Sequence, residues 1–556
     1  MTAPRPAAPS AGYVALVLHA HLPFVRHPER AHQLEELWLF EAITETYLPL
    51  LNVMNGWVRD GVPFALTLSL SPTLSSMLAD PLLQARYIDH LDRTIALAHQ
   101  EMAKYGAKSP LHRLARWYRD RFEQARHDFI VTYRRDLVAA LRALVPHGLE
   151  VIATAATHGY LPLMEPVRSA ARAQVRAGIQ HHVALFGAVP RGFWLPECGY
   201  HPGHDRLLTD EGVIYTIAET HGVTHGVPRP RYAVFAPVYT PAGLAVFGRD
   251  VESSRQVWSA DEGYPGDYDY REFYRDAGHD LPWEEVAPFL PWNVRADTGL
   301  KYYRITGKGS DKELYDPERA EHKARVHAAN FVFNREHQLR YLAAHMDRTP
   351  VVVAPYDAEL FGHWWYEGPV FIDHVMRLIA ANPALAAITP GAYLEQYPTN
   401  QVVRLAHSSW GEKGYSEVWL SGPNDWIYRH LHAAARRMEQ LAQTYAQGAD
   451  PLTERALNQA ARELFLAQSS DWAFIMRAGT VVEYAVERTH RHLHRFFTLA
   501  NQLAEGRLDE QLLAEWEGCD NLLPYVDYRV FLDGPCAPEG PVHAGARFGA
   551  FASAWS

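Results

Sequence analysis

Four short apolar runs are spread along this 556-residue chain, and each is followed at once by a histidine or a carboxylate. Runs of this length are typical of buried strands, and the segments between them, such as 37–52 and 205–211, have helical character. Repetition of a strand, a polar tip and a helix predicts a parallel α/β barrel whose site lies at the carboxyl ends of the strands. The runs lie at residues 14–18, 150–157, 192–196 and 351–356.

Two of these runs end in a carboxylate, Glu197 after the third and Asp357 after the fourth. A carboxylate at the end of a buried strand is costly unless it is paired or has chemical work to do. Retaining glycosidases need one ionised carboxylate that attacks the anomeric carbon and one protonated carboxyl that releases the leaving oxygen. We therefore predict Glu197 as the nucleophile and Asp357 as the acid/base, with its pKa raised by the apolar strand. A helix cap or a buried ion pair is the alternative for either residue.

Glu359 is a rival for the acid role. Residues two apart on a strand point to the same face, so Glu359 would lie beside Asp357 if the strand continued that far. Pro355 before it and Gly362 after it indicate that the strand has ended. We therefore expect Glu359 to support the catalytic residues without acting as the acid itself.

Three histidines follow other apolar runs: His19 and His21 after the first, and His158 after the second. They are suited to hydrogen bonding with sugar hydroxyls around the cleaved unit. A His-x-His pair after a first strand, with a distant His and Asp, is also typical of zinc-dependent barrel hydrolases. The third alternative is a core histidine bonded to the backbone.

The chain contains 15 Trp and 29 Tyr, and sugar rings stack on flat aromatic surfaces. Trp410 lies in the Ser- and Gly-rich stretch 408–414, which favours an exposed ring. An isolated Trp is better explained by core packing. A non-catalytic glucan-binding scaffold would also fit the aromatic content, but it leaves the two carboxylates without a role. The candidate stacking platforms are Trp258, Trp364, Trp365, Trp410 and Trp419.

The amino-acid composition limits the binding partners and the cellular compartment that we expect for this chain. The formal net charge of -11 leaves no basic excess for a nucleic-acid backbone. No apolar stretch approaches the roughly 20 residues of a membrane span. Three cysteines cannot form a disulfide framework, which suits a reducing compartment. The Pro- and Ala-rich start lacks the apolar centre of a signal peptide, so we predict a cytoplasmic protein with no nucleic-acid or membrane partner.

The chain divides into a predicted lead at 1–12 without structure, a catalytic barrel at 13–400 and a helical domain at 401–556. Within the barrel, about 81–147 reads as a helical insertion with helices at 82–103 and 111–144. Residues 229–248 look like an extended excursion near the site, and 263–308 like loops over the barrel mouth. The C-terminal helices are predicted at 428–445, 451–468, 473–504 and 510–517.

Several long motifs, in order along nearly the whole chain after residue 12, resemble glycoside hydrolase family 57 and, within it, the glycogen branching enzymes. Two C-terminal stretches, SSDW at 469–472 and DNLLPYVDYR at 520–529, resemble the same subgroup. The barrel motifs are HAHLPF at 19–24, THGYLP at 157–162, WLPECGY at 194–200, QVWS at 256–259 with GYPGD at 263–267, and PYDAELFGHWW at 355–365.

This resemblance implies a (β/α)7 barrel with an inserted helical domain and a C-terminal helical domain that contributes to a glucan cleft. It implies a retaining enzyme without metal or other cofactor that cleaves α-1,4-glucan links and forms α-1,6 branches through a glycosyl-enzyme. Glu197 matches the nucleophile and Asp357 the proton donor. The matching glucan-binding positions are Arg249, Gly266, Trp410 and Asp471, with Trp258 and Trp419 as aromatic subsites.

One region departs from the family pattern. Branching members carry a tyrosine on a long mobile loop that shields the glycosyl-enzyme from water, between the nucleophile and the Arg-Asp segment. Here Glu197 and Arg249 are only 52 positions apart. Tyr232 and Tyr239 are the candidates for the lid tyrosine. A short lid would let water compete, so an α-amylase or a 4-α-glucanotransferase of the same family is the alternative function.

Overall fold

The computed structural model describes residues 9–259 and 262–534. Seven parallel strands stand side by side in the order β7-β5-β4-β3-β2-β1-β8, β6 pairs antiparallel with β7, and β9 pairs with β1. The two ends of the row are linked by the Asp250 N–H, which donates to the Val353 carbonyl at 2.9 Å. The predicted (β/α)7 architecture is confirmed. The strands are β1 Gly12–Ala20, β2 Leu66–Leu70, β3 Leu149–Thr154, β4 Gly192–Trp194, β5 Tyr215–Ala218, β6 Val238–Tyr239, β7 Ala245–Gly248, β8 Val351–Asp357 and β9 Leu385–Ala387.

The strands form because their residues are apolar or small and are covered on both faces. All nine residues of β1 and all five of β2 are buried, as parallel strands between barrel interior and helices must be. Three barrel strands, β2, β5 and β7, lie outside the four apolar runs. They are short, and β2 and β5 carry the fully buried Thr67 and Thr216. The expected excursion at 229–248 is therefore partly wrong, because β7 completes the barrel.

Helices cover the outside of the barrel. A π-helical turn at Ile43–Tyr47 joins the first two, so the predicted helix at 37–52 is one bent segment. The barrel helices are α1 Glu36–Ala42, α2 Leu48–Asp60, α3 Pro72–Ala79, α7 Arg168–Phe186, α8 His204–Thr209, α9 Thr220–Thr224, α10 Val251–Trp258, α13 Pro317–Ala343, α14 Gly368–Ala381 and α15 Pro390–Gln396.

Between β2 and β3 lies the helical insertion, in which α4 Pro81–Lys104 packs against α5 Pro110–His127. The single helix expected over 111–144 is broken, because Arg134 and Arg135 adopt left-handed φ values of 51° and 64°. A new helix, α6 Leu137–Leu144, then begins at the Asp136 cap. The 263–308 region holds two short helices, α11 Ala277–Asp280 and α12 Trp283–Val286, and packs in part on α4 and α5.

The C-terminal region is helical, as predicted, but 473–504 is two helices. Gly479 ends the first with a left-handed φ of 80°. Within the described ranges, no helix is long and apolar enough to cross a membrane. Residues 1–8 of the predicted lead and Cys536 lie outside the described residues, and β1 already begins at Gly12. The helices are α16 Trp426–Thr444, α17 Pro451–Ala467, α18 Ser470–Ala478, α19 Val482–Glu505 and α20 Glu510–Cys519.

Candidate active site

Glu197 lies in a tight turn directly after β4. Its backbone adopts the left-handed conformation (φ 61°, ψ 23°), and that of Cys198 does too (φ 49°). Such a conformation costs a non-glycine residue about 1–3 kcal/mol and persists only where the surroundings enforce it. The indole Nε1 of Trp410 donates to Glu197 Oε2 at 2.8 Å, and the Trp410 N–H donates to the Glu197 carbonyl at 3.0 Å. The turn is thus held by a segment more than 200 residues away.

The other carboxylate oxygen of Glu197 faces the C-terminal domain. Ser470 Oγ, at the start of α18, donates to Glu197 Oε1 at 3.3 Å and also lies 2.9 Å from His158 Nδ1. His158 Nδ1 itself lies 3.6 Å from Glu197 Oε1. Both oxygens of this carboxylate therefore have polar partners that fix its direction.

The three predicted histidines come together as one stack. His19 Nε2 lies 2.9 Å from His158 Nε2, and the ring centroids of His21 and His158 are 4.0 Å apart. Burial lowers the pKa of both His19 and His158 well below the ordinary value, so these two rings are neutral. His21 Nε2 instead faces Asp471, 3.1 Å from each carboxylate oxygen. Burial opposes ionisation of Asp471, but attraction to His21 lowers its pKa to about 2.

Asp357 is the last residue of β8 and pairs in register with His19 on β1. The strand stops there, so Glu359 does not continue the alternation. Glu359 turns inward, where it accepts hydrogen bonds from Tyr47 Oη at 2.5 Å and from the His21 N–H at 3.2 Å. Pro355 was expected to mark the end of the strand, but it lies inside β8, which ends at Asp357.

Burial is the main cause of the unusual pKa values at the site. It raises the pKa of Asp357 to about 8, and the charge of Glu359 adds to the shift. It raises the pKa of Glu197 to about 7, where the charge of Asp357 raises it further and the Trp410 hydrogen bond lowers it. The two carboxylates are therefore close enough to influence each other.

Arg249 follows β7 and lies on the same rim. Its Nη1 donates to Glu219 Oε2 at 2.9 Å, its guanidinium lies 5.6 Å from the centroid of the Trp410 ring, and its charge lowers the pKa of Asp357. Trp258, at the end of α10, meets the Trp410 ring edge-on at 5.8 Å between centroids. Arg249, Trp258 and Trp410 are all partly accessible, as groups that touch a substrate must be.

The other aromatic candidates differ in exposure. Trp419 is only 1% exposed and stacks on Tyr160 at 4.4 Å, so it supports the wall from behind and does not present a face to a sugar. Trp365 is likewise 1% exposed. Trp364 is 55% exposed and stacks on Phe273 at 4.7 Å. Gly266 is partly buried in the turn Tyr264–Gly266, which contacts α10.

Neither lid candidate lies at the site. Tyr239 pairs with Ala245, the first residue of β7, and its hydroxyl donates to the Pro398 carbonyl. Tyr232 donates to Asp347, just before β8 begins. Both tyrosines are therefore at the amino ends of the strands, opposite Glu197 and Asp357. The lid prediction for Tyr232 and Tyr239 is wrong, because the segment that carries them turns back into the barrel as the β6–β7 hairpin.

Sequence reasoning missed several residues that position this site. Ser69 and Ser71, at the end of β2, lie 3.0 Å from the Nδ1 atoms of His19 and His21. The serines within and directly after the short stretch 66–70 were the available signal. Ser470 and Tyr47 carry no local signal, since each meets its carboxylate only through the fold.

The histidine stack also bears on the zinc alternative. His19 Nε2 and His158 Nε2 face each other, and the remaining nitrogen of each faces a serine hydroxyl. Among the described residues, the side-chain groups spaced to hold a metal ion are Glu165 with His201 and His204, and Glu463 with His492 and Asp520. The three predicted histidines belong to neither group.

Two partly accessible carboxylates on the carboxyl ends of barrel strands, with histidines and tryptophans around them, define a site of the glycosidase class. The chain belongs to glycosyl hydrolase family 57: the profile of that family matches residues 15–406. A second profile, described as 1,4-alpha-glucan branching enzyme, C-terminal, matches residues 430–531.

Individual relatives resemble the chain over almost its whole length. A 1,4-alpha-glucan branching enzyme of Thermococcus kodakarensis is 32% identical, over 95% of this chain and 79% of the relative. The solved GH57-type branching enzyme of Pyrococcus horikoshii is 32% identical, with a TM-score of 0.84 over 96% of this chain and 98% of that one. The solved alpha-amylase AmyC of Thermotoga maritima is 42% identical, with a TM-score of 0.88 over 94% and 100%.

Proposed function

We propose that this chain is a 1,4-α-glucan branching enzyme that works through a covalent glycosyl-enzyme. The observation that carries this proposal is the pair of partly accessible, interacting carboxylates Glu197 and Asp357, in a chain that carries the branching-enzyme C-terminal region as well as the catalytic one. The substrate is an α-1,4-glucan such as amylose or glycogen. The cysteine content favours a cytoplasmic location.

In the first step, a Glu197 carboxylate oxygen attacks C1 of a glucose unit while Asp357 donates its proton to the departing glycosidic oxygen. The hydrogen bonds from Trp410 and Ser470 fix the carboxylate of Glu197, and the Trp410 bond favours its ionised form. Asp357 has the higher pKa of the pair, about 8 against about 7, which is the order that an acid and a nucleophile need.

In the second step, the 6-hydroxyl of an acceptor glucan attacks C1 of the glycosyl-enzyme. Asp357, now ionised, removes the hydroxyl proton, and Glu197 leaves as a carboxylate. Arg249, Trp258 and Trp410 are the groups placed to hold the glucan, since they line the accessible rim beside both carboxylates. Asp471 and His21 reach the same cleft as a pair, one from the C-terminal domain and one from the barrel.

A second candidate function is α-amylase activity at the same two carboxylates. Two observations favour it: the resemblance to the Thermotoga maritima amylase and the fold of residues 200–248. That segment is occupied by α8, β5, α9 and the β6–β7 hairpin, and both lid candidates lie at the far end of the barrel. Water would then compete with the 6-hydroxyl for the glycosyl-enzyme.

Amylose incubation with two readouts separates these functions. We expect the proton NMR signal of α-1,6 linkages to grow while few new reducing ends appear. Abundant reducing ends without the α-1,6 signal would instead assign the chain as an amylase. Glu197→Gln should abolish both signals, and Glu395→Gln, an exposed glutamate on α15, is the matched control that should retain them.

A further inference from the structure

A cluster of potential metal ligands lies on segments that follow His158 and Glu197 in the chain but takes no part in the proposed reaction. We define the histidine cluster as Glu165, His201, His204 and His407. One ligand atom from each of Glu165, His201 and His204 lies within 4.8 Å of the others. The His407 ring lies next to that of His201, with 5.9 Å between their centroids.

Two nitrogens of this cluster are buried without a hydrogen-bond partner among the described residues, His201 Nδ1 and His407 Nε2. A buried polar atom left unpaired costs about 1–3 kcal/mol, so it calls for an explanation. His204 is 0% exposed, and its Nε2 lies 2.9 Å from Glu165 Oε1. The cluster thus offers an anionic oxygen and imidazole nitrogens, a set that suits Zn²⁺.

We propose that the histidine cluster binds a divalent transition-metal ion, most favourably Zn²⁺, as a structural clamp. The ion would sit among Glu165, His201 and His204, whose ligand atoms lie within 4.8 Å of one another, with water completing its coordination. His407 would line the site beside His201. His201 and His407 are partly accessible, which leaves the ion a route to the site. No electron or proton transfer to substrate is involved, so this site is independent of the glycosidic chemistry and of its proposed assignment.

The positions of the ligands show what a clamp would hold. Glu165 follows His158 by seven residues, His201 follows Glu197 by four, and His407 precedes Trp410 by three. The Tyr200 N–H donates to the Ser408 carbonyl at 2.8 Å, so the loops of Glu197 and Trp410 already run side by side. An ion held by Glu165, His201 and His204 would tie the segment after His158 to the loop after Glu197, and the Trp410 loop runs along that loop.

The test is metal binding by the full chain after treatment with a chelator. Co²⁺ is titrated into the metal-free protein and followed by its visible absorption, and Zn²⁺ is then added in competition. We expect one ion per chain, with nitrogen and oxygen ligands. His201→Gln should weaken binding by more than about tenfold, and His407→Gln, which changes a neighbour of the ligands, should weaken it less. His225→Gln changes an exposed histidine outside the cluster and should leave binding unchanged.

A thermal melt gives a second, independent readout. Zn²⁺ should raise the Tm of the unmodified chain and of His225→Gln, because it binds only the folded form, and should not raise that of His201→Gln. Absence of stoichiometric binding would overturn the proposal. Binding that persists unchanged in His201→Gln would also overturn it, since the ion would then occupy another group such as Glu463 with His492 and Asp520.

Discussion

The two proposed catalytic carboxylates reach the same site by different structural routes. Glu197 follows a strand of only three residues and sits in a left-handed turn that Trp410 and Ser470 hold from distant parts of the chain. Asp357 ends a regular strand of seven residues with an extended backbone. The position of Asp357 is thus set locally, and that of Glu197 depends on the packing of two other segments.

The neighbours of the two carboxylates also differ, and this difference supports the roles proposed for them. Burial raises both pKa values, so burial alone does not distinguish them. The hydrogen bond from Trp410 lowers the pKa of Glu197. The charge of Glu359, whose own pKa burial raises to about 7, instead adds to the rise at Asp357. We therefore predict that the pKa of each carboxylate can be changed by replacing its neighbour, without removing the carboxylate itself.

The largest expected effects come from removing each carboxylate and comparing two substrates. On amylose, Asp357→Asn should lose a factor of about 10²–10⁴, because the leaving oxygen is no longer protonated. On α-maltosyl fluoride, whose leaving group needs no proton, it should still release fluoride. Glu197→Gln should be inactive on both. Equal losses on the two substrates for both variants would remove the distinction between nucleophile and acid.

Replacing Trp410 by Phe should change the pH dependence of Glu197. The lost hydrogen bond to a charged group is worth about 1.5–3 kcal/mol. The pKa of Glu197 should therefore rise from about 7, by roughly one unit or more, and the acidic limb of kcat/KM should move to higher pH. More of the enzyme is then protonated, and inactive, at pH 7.

Trp258→Phe is the matched control for that substitution. The Trp258 Nε1 is buried without a hydrogen-bond partner among the described residues, so the same exchange removes no bond to Glu197. The acidic limb of kcat/KM should therefore stay at its original pH in Trp258→Phe. An equal shift in both variants would contradict the role assigned to the Trp410 indole.

Glu359→Gln should produce a smaller shift, in the basic limb of the pH profile of kcat/KM. Removal of the negative charge lowers the pKa of Asp357 from about 8, so the acid loses its proton earlier and the basic limb moves to lower pH. The shift should be less than about one pH unit, with kcat near its original value at the optimum. A loss of about 10²–10⁴ in kcat would instead identify Glu359 as the acid.

The smallest effect is expected from Tyr232→Phe and Tyr239→Phe. Both tyrosines lie at the amino ends of the barrel strands, so neither should alter the ratio of new α-1,6 linkages to new reducing ends. A marked rise in reducing ends in either variant would show that the residue covers the glycosyl-enzyme after all.

The sequence allowed the barrel and both carboxylate positions to be predicted, because each carboxylate follows directly on an apolar run. It did not allow β7 to be recognised, since four residues in a Pro-rich segment resemble a loop. It also did not reveal that Trp419 is buried beneath Tyr160 or that Ser470 meets Glu197. Those contacts join residues more than 250 positions apart and exist only once the domains have packed.

The most direct test of Glu197 as the nucleophile is to trap the glycosyl-enzyme. Asp357→Asn is incubated with α-maltosyl fluoride, which can form the covalent intermediate but cannot activate an acceptor to resolve it. Mass spectrometry of the digested protein should find one maltosyl group on the peptide that contains Glu197. Attachment at another residue, or no attachment although fluoride is released, would contradict the assignment of Glu197 as the nucleophile.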